Sequence, residues 1–401
     1  MVRGERGMIR KIKIKGFKGF NKETELDLTK TKNYSWNTNH IKDGIVKNCL
    51  LYGKSGSGKT NFGEVLIDIQ KSFLNMERKK ESGYVNKNGV HKYAEVNIEY
   101  SFYDDGILTY HYKKTDENAF IFEELILDTK TIFIRDVENE KYNVYVEGFD
   151  TINLSNVKNS QSFIVFLFNN SNYSNDNQYY SDYHPIGYVY FSIIFGYPTL
   201  PSPSTLRSIK LMERDKVDYI EVNKNLKKTF NEIGYSEYPI YDAENKDFIL
   251  KLSSNKNLKF QESASSGQKV LLYILIIFVI NPFLFDRKDQ EKFGLEYEFF
   301  GRKYKCDRSF ATLFFFDEFD AFYDIDLSLK VLKLIERSLY QTIVTTHNTN
   351  LISNKISRPD CYYIITKNEI KNISSIESRE IRIGNSLEKM FINGDFLGLD
   401  E

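Results

Sequence analysis

Hydrophobic and polar residues alternate in two stretches of the chain, and this alternation predicts half-buried β-strands. Near the N-terminus, Ile12 and Ile14 alternate with lysines over 9–15, and we expect Glu23 to Leu28 to pair back across a turn. From Ala94 to Val146, short runs rich in Tyr, Phe, Ile and Val are separated by polar turns. We predict that this second stretch forms an antiparallel β-subdomain.

Other segments carry apolar residues at a spacing of three or four, which predicts helices over Asn61 to Leu74 and Ser204 to Ile233. The most apolar run, Val270 to Ile280, has 11 residues, whereas a membrane-spanning helix needs about 20. We therefore expect a buried core helix there. Three further predictions are a hairpin over 247–261, a long mobile loop over 169–183, and a charged insertion with another hairpin over 286–308.

One eight-residue stretch, 53–60, fits the pattern G-x-x-x-x-G-K-[ST] at every fixed position. The apolar run Asn48 to Tyr52 precedes it as a short buried strand, and the predicted helix follows. In that context, backbone N–H groups surround phosphate oxygens, Lys59 contacts the β- and γ-phosphates, and the Thr60 hydroxyl binds magnesium. The predicted ATP-binding residues are Gly53, Lys54, Ser55, Gly56, Ser57, Gly58, Lys59, Thr60 and Asn61.

An acidic pair is the second candidate part of the site. Asp317 and Glu318 directly follow an apolar strand predicted over 311–316. In P-loop enzymes an aspartate at this place holds Mg²⁺, and the adjacent glutamate can polarise the attacking water as a general base. The alternative is a core strand that simply ends in an acidic surface pair.

Two other stretches could face phosphate. A turn of small and hydroxyl residues at the start of the apolar helix is a candidate anion site, although serine-rich helix caps are common. Its residues are Ser265, Ser266, Gly267 and Gln268. The strand predicted over 341–346 is followed by His347, which we expect to hydrogen-bond the γ-phosphate; a purely structural histidine is the alternative.

The chain has 55 basic and 55 acidic residues and a formal net charge of zero, so overall charge does not support nucleic acid as a partner. A local basic patch for nucleic acid could be formed by Lys11, Lys13 and Lys15. The preferred interpretation of these lysines is a solvated strand face. The three cysteines have no metal or disulfide spacing, and no apolar run follows the basic N-terminus. We expect a soluble, cytoplasmic protein without membrane contact.

Taken in order, these motifs resemble those of ABC-type ATPases of the SMC and recombination-repair branch. More narrowly, the chain resembles the "AAA" ATP-binding proteins of bacterial abortive-infection and phage-defence systems. The resemblance covers nearly the whole chain, from 12–20 to 387–391, although Ala264 and Ser266 depart from the Leu-Ser-Gly-Gly-Gln signature. It implies a nucleotide contact for Asp324 in the D-loop, while no glutamine can be assigned to the Q-loop.

The resemblance implies an α/β fold: an ABC-type P-loop NTPase with a mixed central sheet flanked by helices, an antiparallel β-subdomain and a helical or irregular insertion. We expect the P-loop half of the ATPase core at 1–93, the β-subdomain at 94–165, and the loop-rich and helical insertion at 166–246. The half with the signature, Asp317-Glu318 and His347 is expected at 247–401.

The resemblance also implies function. We expect a slow, dimerisation-dependent ATPase that uses ATP and Mg²⁺, in which the signature of one chain completes the site of another in a head-to-tail homodimer, with higher oligomers left open. It would act as a sensor or scaffold in anti-phage defence. About 50 residues follow His347, too few for another domain, so a separate effector encoded nearby is expected to do the damage. The alternatives are an SMC-type DNA-end or repair ATPase and, disfavoured by the β-insert, a transporter subunit.

Overall fold

The structure is a computed structural model. It describes residues 8–73, 83–101, 106–145, 149, 152–170, 198–199, 219–245, 247–252, 254, 256–280, 295–299, 302–306, 313–337, 340–367, 369–376 and 381–396. The chain divides into two compact units. The first consists of Met1–Thr199, Gly294–Phe315 and Tyr340–Glu401, and the second of Leu200–Phe293 and Phe316–Leu339.

The elements are numbered in chain order. The helices are α1 (Lys59–Phe73), α2 (Phe163–Asn170), α3 (Tyr219–Glu232), α4 (Phe260–Ser263), α5 (Ser266–Ile280), α6 (Ile325–Glu336), α7 (Ile373–Ile376) and α8 (Leu387–Ile392). The first ten strands are β1 (Ile9–Lys15), β2 (Thr24–Asp27), β3 (Ile41–Lys42), β4 (Ile45–Val46), β5 (Asn48–Tyr52), β6 (Ala94–Ser101), β7 (Ile107–Lys114), β8 (Phe120–Leu127), β9 (Lys130–Asp136) and β10 (Lys141–Val144). The others are β11 (Pro198–Thr199), β12 (Tyr238–Asp242), β13 (Asp247–Lys251), β14 (Asn257–Lys259), β15 (Leu295–Phe299), β16 (Arg302–Cys306), β17 (Leu313–Phe316), β18 (Gln341–Thr346), β19 (Tyr362–Ile365) and β20 (Ile370–Asn372).

The first unit contains a seven-stranded sheet in the order β10-β9-β8-β7-β6-β1-β2, and each neighbouring pair is antiparallel. Alternate residues of β6 and β7 are buried, as the alternating sequence predicts. The predicted antiparallel sheet is thus confirmed, and the N-terminal strands β1 and β2 are part of it. Their pairing also confirms the expected return of 23–28 onto 9–15.

Two fully buried charges brace this sheet beside α2. The Arg135 guanidinium lies 2.8 Å from the Glu123 carboxylate, and neither side chain is exposed. Glu123 also accepts hydrogen bonds from the Phe163 N–H and the Ser162 hydroxyl, which satisfies the start of α2. This pair therefore holds β8, β9 and α2 together.

A second sheet of this unit is the predicted mixed central sheet. Its order is β11-β17-β18-β5-β19-β20. Strands β18 and β19 flank β5 and run parallel to it, whereas β20 is antiparallel to β19. Strands β5, β17, β18 and β19 are buried along their whole length. Continuous apolar runs of this kind are typical of central strands covered on both faces.

The second unit is built around the sheet β12-β13-β14, whose strands pair antiparallel. The predicted hairpin over 247–261 is therefore confirmed. Helix α3 packs on β12, where the Asn223 amide bonds both the N–H and the carbonyl of Tyr241. Leu226 and Phe230 of α3 are fully buried. The predicted apolar helix is confirmed as α5.

Several predicted segments fall partly outside the described residues. Helix α3 covers 219–232 of the helix predicted over 204–233, and 204–218 lies outside. Of the loop predicted over 169–183, residues 169–170 end α2, so the loop is wrong there, and the rest lies outside. The hairpin predicted within 286–308 is confirmed, because β15 and β16 pair antiparallel. Within the described residues, no helix has the length and apolarity needed to cross a membrane.

Candidate functional site

The glycine-rich turn joins the end of β5 to the start of α1, as the motif requires. Gly56 and Gly58 have φ angles of 78° and 108°, values that side-chain-bearing residues rarely adopt. The Ser57 N–H donates to the Lys54 carbonyl at 3.1 Å, which curls the turn. Strand, turn and helix therefore have the arrangement of a phosphate-binding loop.

Two buried polar groups of this turn suit an anion. The Lys59 ammonium, whose residue is 3% exposed, donates to the carbonyls of Gly53 at 2.8 Å and Lys54 at 3.2 Å. The Ser57 hydroxyl is buried and has no hydrogen-bond partner among the described residues. Because buried polar groups are normally paired, a phosphate oxygen is a natural acceptor for this hydroxyl. The residues present therefore fit a nucleotide phosphate.

A loop after β1 packs directly on the turn, and motif matching did not assign it to the site. A Cβ added to Gly19 would come within 2.7 Å of the Asn61 amide nitrogen. The Phe20 ring lies 3.4 Å from the Cβ position of Gly58. Lys18 has a φ of 43° and its ammonium lies 2.5 Å from the Glu64 carboxylate of α1. The one indication of this loop in the sequence was that the family resemblance includes residues 12–20.

The end of β18 meets the start of the turn. Thr346 pairs with Tyr52 in the parallel register, and its carbonyl accepts a hydrogen bond from the Gly53 N–H at 3.1 Å. His347 is the next residue and is exposed. The structure thus places His347 at the carboxyl ends of the parallel strands, where the phosphate-binding turn also lies. Its contact with a γ-phosphate stays a prediction.

In the second unit, Asp317 and Glu318 directly follow β17 and are half-buried. Glu318 has a φ of 43°, and left-handed backbone is uncommon for a residue other than glycine, Asn or Asp. Such strain tends to persist at functional positions. Among the described residues, no group of three or more His, Cys, Asp or Glu side chains could hold a metal ion. Magnesium at phosphate sites is bound through one or two carboxylates besides phosphate oxygens, so the carboxylate of Asp317 is a suitable type of donor.

The signature residues form the first turn of α5, where they have a structural task as well. The Ser265 N–H donates to the Gln268 side-chain oxygen at 2.9 Å, and the Gln268 N–H donates to the Ser265 hydroxyl at 3.2 Å. This is a reciprocal capping box. Ser265 and Ser266 are exposed, whereas a Cβ on Gly267 would lie 2.9 Å from the Phe322 carbonyl oxygen.

Asp324 is the N-cap of α6. Its carboxylate accepts a hydrogen bond from the Leu327 N–H at 2.8 Å. The residue is exposed, and the cap accounts for an aspartate here without a nucleotide. Its predicted D-loop contact stays a prediction.

Two of the three lysines of β1 are matched by acids on the neighbouring strand β2. The Lys11 ammonium lies 3.5 Å from Asp27 and the Lys13 ammonium 3.2 Å from Glu25. A hydrogen bond to Glu25 raises the pKa of the Lys13 ammonium. The face is therefore charge-balanced, which favours a solvated strand face over a nucleic-acid surface.

Two cysteines are plain core residues. Cys49 and Cys361 are buried and free, and burial raises the pKa of both thiols. A thiol of raised pKa is a poor nucleophile and metal ligand.

Most of the chain matches a known protein family. A family model described as "AAA domain, putative AbiEii toxin, Type IV TA system" matches residues 50–353. That range runs from β5 and the phosphate-binding turn to a position just beyond His347. No curated protein matches the sequence.

Solved structures similar to the chain include two SMC heads and a recombination mediator. The SMC head domain from Thermotoga maritima is 13% identical with a TM-score of 0.44, covering 91% of this chain and 99% of that one. The SMC head with an extended coiled coil bound to the C-terminal domain of ScpA, derived from Pyrococcus furiosus, is 15% identical with a TM-score of 0.48, covering 96% and 98%. The recombination mediator protein RecF with ATPrS is 12% identical with a TM-score of 0.40, covering 92% and 99%.

Proposed function

The chain belongs to the family described as "AAA domain, putative AbiEii toxin, Type IV TA system", and on this premise we propose that it binds and hydrolyses ATP to control a toxic effector. It is an ABC-type ATPase that acts as sensor or scaffold in a bacterial anti-phage defence system. The effector is a separate protein, a nuclease or another toxin. The words "toxin" and "Type IV TA system" in the family description support a role in such a system, and the separate effector is part of the proposal.

The observation that carries ATP binding is the geometry of the turn between β5 and α1. Its two glycines of positive φ, the buried Lys59 ammonium and the buried Ser57 hydroxyl together offer hydrogen-bond donors to phosphate oxygens. The partial positive charge at the start of α1 adds to the attraction for an anion. A nucleoside triphosphate is the ligand that this combination suits best.

The chemistry is assigned residue by residue. Thr60 and Asp317 are the proposed ligands of Mg²⁺, which when bound neutralises charge on the β- and γ-phosphates. Lys59 leaves its backbone carbonyls to contact the β- and γ-phosphates. Glu318 accepts a proton from the attacking water as general base, and His347 donates a hydrogen bond to the γ-phosphate. ATP and Mg²⁺ are thus the proposed substrate and cofactor.

Calorimetric titration with ATP tests the binding site. Lys59→Ala should abolish binding while the protein stays folded, because the ammonium supplies the positive charge of the phosphate site. Lys130→Ala is the matched control, since it removes an equal charge from an exposed position at the start of β9, outside the predicted site. Wild-type affinity in a folded Lys59→Ala protein would rule out this site.

The defence role has its own test. The protein is co-expressed with the products of its neighbouring genes and purified with and without ATP. We expect a toxin or nuclease to co-elute in one nucleotide state and to be released in the other. Co-elution with DNA-repair proteins alone, in both states, would contradict the proposed role while leaving ATP hydrolysis intact.

A further inference from the structure

Three residues of α1 lie along one side of the helix at a spacing of four: Thr60, Glu64 and Asp68. Thr60 carries the hydroxyl proposed to bind Mg²⁺. Asp68 lies about 12 Å further along the helix axis, at 1.5 Å per residue. Glu64 and Asp68 each bind a lysine from another element, Lys18 and Lys114. The side of α1 that begins at the candidate site is therefore fastened at two later points.

The Asp68 attachment is buried. The Lys114 ammonium lies 2.9 Å from the Asp68 carboxylate, and both side chains are 1% exposed. The Tyr84 hydroxyl donates to the same carboxylate oxygen at 2.7 Å. The Lys114 ammonium also lies 4.1 Å from the centre of the Phe120 ring, close enough for a cation–π contact. Asp68 thus links α1 to the last residue of β7 and the first of β8.

Tyr84 connects this cluster back to the phosphate-binding turn. Its ring contacts Phe17 edge-on at 4.9 Å, and its carbonyl accepts a hydrogen bond from the Lys18 N–H. Lys18 belongs to the loop whose Gly19 lies against Asn61. One tyrosine therefore touches both the buried ion pair and the loop that packs on the turn.

Another side of α1 packs tightly against the central sheet, which restricts movement of the helix. Phe62 is fully buried. A Cβ on Gly63 would come within 2.2 Å of the Phe315 ring of the central sheet, so the helix approaches that strand more closely than any other residue would allow. A helix held on two sides can neither turn about its axis nor slide without breaking one set of contacts.

Stability alone is a poor reason for a buried ion pair here. Burying two charges costs much of what their attraction returns, and apolar replacements of both partners are often tolerated. The pair does impose a fixed distance and direction that apolar side chains of the same volume lack. From this geometry we propose that Asp68, Tyr84 and Lys114 are positioning residues for ATP hydrolysis, because they fix the rotation of α1 and with it the Thr60 hydroxyl.

This inference rests on the proposed ATPase function, and it has a second consequence. If ATP and Mg²⁺ hold the first turn of α1, the same rigid helix also restricts fluctuations at Lys114. The junction between β7 and β8 would then respond to nucleotide, although it lies outside the candidate site.

The test replaces all three polar partners by apolar groups of similar size, in Asp68→Leu/Tyr84→Phe/Lys114→Met, so that no buried charge is left unpaired. At a temperature where the variant is fully folded, kcat should fall roughly tenfold to a hundredfold, the order expected for a misplacement of about 1 Å. The Mg²⁺ concentration for half-maximal turnover should rise, whereas the ATP Kd measured by calorimetry should change little.

The matched control is Glu123→Gln/Arg135→Met, which removes another fully buried pair of the same unit. It should change thermal stability and leave kcat and the Mg²⁺ requirement as in the wild type. If the triple variant keeps wild-type kcat and Mg²⁺ requirement, the cluster serves stability only and the inference is wrong.

Hydrogen exchange of the wild type keeps the inference testable even if the triple variant does not fold. ATP with Mg²⁺ should slow exchange of the backbone amides of 112–120. Unchanged exchange there, in a protein shown by calorimetry to be saturated, would overturn the proposal. A wild type that binds no ATP would instead contradict the proposed function itself.

Discussion

Among single residues, Glu318 combines a predicted catalytic role with an unfavourable backbone. Its φ of 43° lies in the left-handed region, which costs an L-residue roughly 1–2 kcal/mol. Strain of this kind persists where the surroundings or the function require it. The residue also begins a turn in which its carbonyl accepts a hydrogen bond from the Ala321 N–H at 2.9 Å, so the turn is one local requirement for this conformation.

The first prediction concerns this residue. Glu318→Gln should bind ATP and Mg²⁺ yet turn over at least about a hundredfold more slowly, since loss of a general base costs about 10²–10⁴ in rate. Glu318→Gly should be equally inactive but no less stable than the wild type. Relief of the left-handed strain at least offsets the roughly 0.4–1 kcal/mol by which glycine favours the unfolded chain.

Turnover assays and urea unfolding of the two variants check both halves. Wild-type hydrolysis in either variant would place the base elsewhere. A clear loss of stability in Glu318→Gly would show that the left-handed backbone is not strained.

His40 is a second residue whose environment has a measurable consequence. It is buried and its Nδ1 lies 3.0 Å from the Ser357 hydroxyl. Burial, with the charges of Lys47 and Arg358, lowers the pKa of its imidazole from 6.5 to about 4. The folded protein therefore holds a neutral His40 at a pH where the unfolded chain already binds a proton.

The second prediction follows from this difference. Between pH 6.5 and about 4 the unfolded state binds more protons, so the free energy of unfolding falls as pH falls. The His40 contribution is about 3 kcal/mol and is fully lost below the folded pKa. His40→Gln removes that titration, so the stability difference between wild type and variant should change by about this amount across the range. A parallel pair of curves in pH-dependent urea unfolding would contradict the assignment.

Among the elements, the start of α5 shows that one turn can carry two tasks. Its capping box satisfies the helix N-terminus, and its exposed serines leave a surface that suits an anion. Gly267 is also restricted by packing, because a Cβ added to it would lie 2.9 Å from the Phe322 carbonyl oxygen. A substitution at Gly267 would therefore disturb packing as well as any phosphate contact.

The third prediction separates these effects. Gly267→Ala should destabilise the protein by about 1–3 kcal/mol, since the added methyl group overpacks against backbone. Ser266→Ala, in the same turn but exposed, should change stability by no more than about 0.5 kcal/mol. Urea unfolding of both variants is the measurement. Equal stabilities would mean that the helix shifts to accept the methyl group at no cost.

For the molecule as a whole, the candidate residues are divided between the two units. The phosphate-binding turn and His347 belong to the first, and the signature, Glu318 and Asp324 belong to the second. We propose that the signature of one chain caps the γ-phosphate bound by a second copy, in a head-to-tail pair with two-fold symmetry. ATP that bridges both chains would then strengthen dimerisation by mass action.

The fourth prediction is complementation between two inactive variants. Ser266→Glu places a carboxylate at the start of α5, which stabilises the helix but repels phosphate, and it avoids the packing problem of Gly267. Mixed with Lys59→Ala chains, it should restore one intact site and up to half of the wild-type activity per dimer. Heterodimers that form but remain inactive would show that the signature does not act across an interface.

Features encoded by neighbouring residues could be predicted from the sequence alone. The phosphate-binding turn, the buried strands β5 and β18, the apolar helix α5 and the hairpins of 247–261 and 286–308 all follow from local spacing and turn chemistry. A motif such as 53–60 is contiguous, so its geometry depends mainly on its own glycines and on the strand and helix beside it.

The tertiary structure decided what depends on pairing between distant segments. Whether the β1 lysines form a basic surface depended on Asp27 and Glu25 across the strand pair. Periodicity could not show that β1 and β2 belong to the same sheet as β6 to β10. Nor could it show that Gly53 bonds Thr346 or that Lys114 reaches Asp68. The spacing of apolar residues shows which face of a helix or strand a side chain occupies. Which residue it contacts depends on the packing of elements that are far apart in the chain.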